Sequence, residues 1–139
     1  MTDLSGTGAV PPTVGVAHED RTIPAVVYAL YFLGLAYGVT ALIGAAIAWA
    51  NLNSAGPKMR THYVYQIRTL WMGAAWALLG GALILIGFPL SFILIGIPIV
   101  QLGFAIVSLI CVWAFARCVA GAIYLSQDQA HPRPRTWLV

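Results

Sequence analysis

Charge is what this sequence has least of. Only 8% of its 139 residues are charged, and the acids number four: Asp3, Glu19, Asp20 and Asp128. A soluble domain is roughly 25% charged and about 45–50% apolar. This chain is 60% hydrophobic with a mean hydropathy of +0.86, an excess that a water-soluble core of its size could not hide. The formal charge of +3 comes from seven Lys and Arg. So few cations speak against a nucleic-acid partner, and their positions matter more than their sum.

Cysteine is equally scarce. Cys111 and Cys118 share one apolar run; about 10 Å apart on a helix, they are beyond disulfide reach and read as small apolar fillers. No H-E-x-x-H, G-x-S-x-G or phosphate-binding loop occurs. His62 is the single histidine near an apolar run, no acid lies in one, and Ser91 and Ser108 fall far from it in depth. A hydrolase needs a poised nucleophile and base or a metal set. The expectation is therefore no enzyme, no metal and no cofactor.

What is present is apolar length. A run of about 20 residues spans a bilayer, and the chain divides into a disordered tail (1–22), a transmembrane helical domain (23–127) and an interfacial C-terminal tail (128–139). Within the domain the expected spans are about 24–50, 63–87 and 92–125, an all-α polytopic fold with three transmembrane helices. The first run is too long for a signal-peptide core and follows a net acidic tail, so it is read as an uncleaved span. Pro98 would kink the third, long helix or set off residues 88–98 as a tight embedded hairpin. Gly34, Gly38, Gly44 and Ala48, and then Gly73, Ala77 and Gly81, supply small-residue stripes for close helix packing.

Three spans place the connector 51–61 and the C-terminal end on one face, with six of the seven cations, leaving Arg21 opposite. The positive-inside rule then puts the N-terminus outside and the C-terminus in the cytoplasm. Arg68 and Arg117 lie below that face, with no acid in any span to pair them. Two uses are open: snorkelling to headgroups, or convergence of His62, Gln66, Arg68 and Arg117, with Tyr65, on an anionic lipid or ligand. Gln66 and Arg68 stand about 200° apart on a helical wheel, which opposes a single small pocket. Trp49, Trp71, Tyr124 and Trp137 read as interfacial anchors. Trp113 shares a face with Arg117 and Gly121, which allows a cation–π contact. Gln101 and Ser108 are mid-membrane polar groups expected to hydrogen-bond to backbone or another helix.

At HYVYQIRTLW (62–71), WAFARCVAG (113–121) and PRPRTWLV (132–139) the chain resembles a family of small bacterial membrane proteins of unassigned function. That family is distantly likened to the Tic-type translocon proteins of the chloroplast inner envelope. His62, Gln66, Arg68 and Thr69 match its motif before the second span, Arg117 and Gly121 its late-helix pair, and Pro132, Pro134, Thr136 and Trp137 its tail. Arg133 replaces an expected Asn. The resemblance implies a bacterial inner-membrane location and brings no activity with it. The function expected is structural or accessory, binding anionic lipid, a membrane-protein partner or further copies of itself. The alternative is a subunit of a small oligomeric transporter or translocation channel.

Overall fold

A computed structural model describes residues 20–138, so the expected N-terminal tail lies outside the described residues except at its end. The described chain is all-α: α1 (Thr22–Tyr37), α2 (Val39–Asn51), α3 (Pro57–Leu90), a single 3-10 turn (Ser91–Ile93) and α4 (Gly96–Ser126). Two of these helices, α3 and α4, are long and apolar enough to cross a membrane.

The first apolar run is two helices, which corrects the expected span at 24–50. Gly38 takes φ +65° and ψ −52° between them, a backbone that side-chain-bearing residues rarely adopt. Its N–H closes α1 on the Gly34 carbonyl at 2.8 Å, and its own carbonyl accepts from Ala41 at 3.1 Å. The chain reverses there, and α2 returns antiparallel along α1. Gly34 abuts Ala41, and Gly44 abuts Tyr31 and Leu30, so the small residues of this run close a hairpin within the chain. With 16 and 13 residues, its arms are about 24 and 20 Å long, short of the roughly 30 Å hydrocarbon core.

α3 begins at Pro57, where a missing N–H costs nothing in the first turn. It therefore starts before the expected 63 and runs on through Pro89 to Leu90. Pro98 falls in the first turn of α4, which explains why it neither kinks nor divides that helix. Residues 88–98 form a tight reversal in which Leu94 has φ 63°. Gly96 is pressed against the Gly87 carbonyl and the Ser91 nitrogen, leaving no room for a Cβ.

The α3–α4 hairpin has two different halves. Near the reversal its buried residues are glycines: Gly80, Gly87, Gly96 and Gly103. A Cβ on Gly80 would stand 3.0 Å from the Gly103 carbonyl, so the backbones meet directly. The expected stripe of Gly73, Ala77 and Gly81 is not the packing face, since among the described residues nothing beyond the adjoining turns of α3 lies within 4 Å of a Cβ on Gly73 or Gly81. Large apolar side chains point outward there, among them Leu85 at 77% and Phe92 at 87% exposed. The conventional core sits at the other end, where Val27, Tyr28, Tyr31, Ala48, Met59, Tyr63, Cys118 and Leu125 pack α1 and α2 onto α3 and α4. Cys111 and Cys118 are both free.

The ends of α1 and α4 meet. Asp128 lies 3.7 Å from Arg21 and 3.1 Å from Lys58. Arg21 therefore shares one end of the molecule with the connector and the C-terminal region. The expectation that it stands at the opposite end is corrected in this respect alone: the α1–α2 hairpin returns the chain to the end of the molecule from which it started.

Candidate functional site

That shared end holds a polar cluster. His62, Gln66 and Thr69 fall at i, i+4 and i+7 on α3, one helical face, and all three are buried. The Nε2 of His62 lies 2.9 Å from the Gln129 carbonyl. A carbonyl only accepts, so Nε2 carries the proton and Nδ1 accepts from the Tyr28 hydroxyl at 3.2 Å. The Gln66 side-chain amide donates to the Pro24 carbonyl at 3.0 Å, and the Gln66 backbone carbonyl accepts from the Tyr31 hydroxyl at 2.9 Å, while its side-chain Oε1 is buried without a partner. Both residues thus dock α1 onto α3, and His62 docks the tail as well.

Arg117 is fully buried, at 0% exposure. Its Nε donates to Thr69 Oγ1 at 2.9 Å. Its Nη1 donates to the carbonyls of Thr136 at 3.0 Å and Leu138 at 2.8 Å. The guanidinium lies 3.9 Å from the Tyr65 ring centre and 4.9 Å from that of Trp113. Tyr65 in turn stacks on His131, with ring centres 3.8 Å apart at 26°. Trp113, Arg117, Tyr65 and His131 therefore form one continuous stack. Arg117 is turned inward rather than to the surface: neutral acceptors hold its Nε and Nη1, aromatic faces flank the guanidinium, and its Nη2 is enclosed without a hydrogen-bond partner.

The tail is held against α3 and α4 along its length. The His131 amide donates to Thr61 Oγ1 at 2.9 Å, and the Trp113 indole donates to the Trp137 carbonyl at 3.0 Å. Burial, with the neighbouring His62 and Arg117 charges, pushes the His131 imidazole down to about 4. Tyr124 is half-buried and packs edge-on against that ring at 5.2 Å, so it is a tail contact more than an anchor. Trp49, Trp71 and Trp137 remain exposed.

Of the four residues expected to converge on an anion, His62, Gln66 and Arg117 are occupied by internal partners. Arg68 stands apart, half-buried beside Trp137 at 6.0 Å from its ring centre. They do not form one pocket. Tyr65 belongs to the cluster, as expected, through its contacts with Arg117 and His131; Tyr28 and His131 were missed, and no spacing in the sequence links either to His62. Among the described residues no group of three His, Cys, Asp or Glu could hold a metal. No protein-family model, curated protein or solved structure matches the chain.

Proposed function

We propose that the chain is an accessory protein of the bacterial inner membrane. It crosses the bilayer twice, dips a helical hairpin into one leaflet, and keeps both described ends in the cytoplasm. One observation carries this reading: all seven Lys and Arg gather at the end where Arg21, Asp128 and Lys58 meet, while 88–98 carry no charge. A cationic end held inside and a charge-free end delivered outside is the positive-inside pattern. The compartment itself rests on the resemblance carried by 62–71, 113–121 and 132–139.

Depth supports it. Counted from the reversal, a 30 Å slab takes about 20 residues of helix and reaches about Leu70 on α3 and Ala116 on α4. Arg68 and Arg117 then stand at the boundary, beside Trp71 and Trp113. The buried polar cluster lies above it. The α1–α2 hairpin reaches only part-way into the near leaflet, where exposed Leu33, Val39, Leu42 and Ile43 meet acyl chains.

Single cysteines in a Cys111→Ala/Cys118→Ala background test the arrangement in intact cells. An impermeant maleimide labels Phe92→Cys and leaves Thr22→Cys and Asn53→Cys unlabelled. Labelling of Thr22→Cys together with Phe92→Cys would restore the three-crossing arrangement.

The oligomeric transporter is the second reading. Gln101 and Ser108 are exposed seven residues apart on α4, and Gly73 and Gly81 lie uncovered on α3. An amide facing lipid is left without a partner, and a second copy would supply one. Cysteine cross-linking at Gln101 in native membrane distinguishes a self-associating subunit from an accessory monomer that captures a different protein.

A further inference from the structure

Two hollows follow one another along a single face of α3. The upper is a furrow of about 640 Å³ between the start of α3, at Pro57, Arg60 and Val64, and the tail segment 133–136. The lower is an apolar groove of about 350 Å³ between Met72 and Trp76 of α3 and Ile106, Ile110 and Trp113 of α4. Trp137 borders its mouth, next in the chain to the last residue of the upper furrow.

Arg60, Val64, Arg68, Met72 and Trp76 recur every fourth residue, so they line one slowly turning helix face. Arg68 falls at the neck between the hollows. Its Nε is enclosed without a hydrogen-bond partner. Among the described residues no acid borders either hollow and no ion pair reaches Arg60, Arg68, Arg133 or Arg135. The chemistry thus passes from three arginines, through a fourth, to an apolar slot. From Arg60 to Trp76 is about 24 Å of helix; with the hydrocarbon edge near Leu70, Arg60 stands about 15 Å above it and its long side chain reaches down to a phosphate of the headgroup layer.

We propose that this face holds one anionic diacyl phospholipid. Its phosphate lies among Arg60, Arg133 and Arg135, its glycerol region beside Arg68, and one acyl chain in the groove below Trp137. Guanidinium groups match phosphate oxygens in a planar, bidentate fork. A choline headgroup would bring a cation of its own against them, so a net-anionic headgroup is selected. The inference rests on the membrane reading above and deepens it by naming the lipid. It also moves the anion site from the residues first expected to hold it to the outward-facing arginines.

Native mass spectrometry of the full chain in mild detergent tests this, with phosphatidylglycerol, phosphatidylcholine and inorganic phosphate as probes. The expected result is one retained phosphatidylglycerol, preferred over phosphatidylcholine by at least about five-fold. That preference falls in Arg60→Gln, Arg133→Gln and Arg135→Gln singly, and vanishes in the triple variant with unchanged helical circular dichroism. Dihexanoyl phosphatidylglycerol, too short to fill the groove, is retained less than the long-chain lipid. Equal retention of both headgroups, an unaltered preference in the triple variant, or displacement by millimolar phosphate overturns the proposal. Equal retention of the short-chain lipid overturns its acyl half. Carbonate washing of membranes separates the two readings: a chain that stays in the pellet but shows no preference sinks the lipid site alone. Release into the wash sinks the membrane reading itself.

Discussion

Arg117 lies with its guanidinium carbon 3.9 Å from the centre of the Tyr65 ring, in a site where no carboxylate reaches it among the described residues. Its charge is spread over aromatic faces and backbone carbonyls instead. Burying a cation is expensive unless its donors are satisfied; the carbonyls that accept from Nη1 belong to the tail, while Nη2 is enclosed without a partner. Arg117 and the tail are therefore conditions for one another.

Arg117→Met removes the donor to Thr136 and Leu138 and should loosen the docked tail by about 2–4 kcal/mol. Trypsin should then cut after Arg135 at least about tenfold faster. Arg117→Lys keeps the charge but loses the planar fork and the stack, and should recover less than half of the protection. Cleavage rates equal to the parent in both variants would refute the linkage.

Acid should release the tail. His131 is held down to about 4 in the docked state, whereas the free imidazole titrates near its ordinary 6.5. The released tail therefore binds the proton more readily, and docking is fully stable above pH 6.5. It weakens as pH falls towards 4, by up to about 3 kcal/mol. A spin label at Leu138→Cys should gain mobility across that window, and His131→Phe should reduce the dependence on pH, leaving the part due to His62, whose imidazole burial also pushes down and which holds the Gln129 carbonyl.

Gly121 has no space for a side chain, because the Tyr28 hydroxyl occupies the position of its Cβ. Gly121→Ala should push α1 off α4 and lower stability by about 1–3 kcal/mol, seen as an earlier thermal transition in detergent. Gly81→Ala, in open space, is the matched control and should leave the transition unchanged.

Gly38→Ala places a Cβ at φ +65°, which costs about 1–2 kcal/mol. Paired spin labels at Thr22→Cys and Ser54→Cys report the result. The parent should give one short distance, and the variant a distribution with a longer component from chains in which α1 and α2 run on as one helix.

Apolar length identified the α3–α4 hairpin, because continuous runs without acids permit little else. The same criterion failed at the first run, where a single glycine converts one apparent crossing into a hairpin. Hydropathy does not register a backbone angle. The helical face of His62, Gln66 and Thr69 was readable from spacing. Its partners were not: Thr69 meets Arg117 across 48 residues, and Thr61 meets His131 across 70. Such contacts depend on how the tail folds back, and a run of prolines and arginines reads equally well as a free surface strand.

The reversal at 91–95 has a consequence for biogenesis. On the membrane reading, the only segment that must be carried through the hydrocarbon is Phe, Pro, Leu, Ser, Ile and Gly, with no ionised group to dehydrate. Every cation stays on the ribosome's side throughout. On that reading the described residues can be installed from one direction, as a folded-over pin.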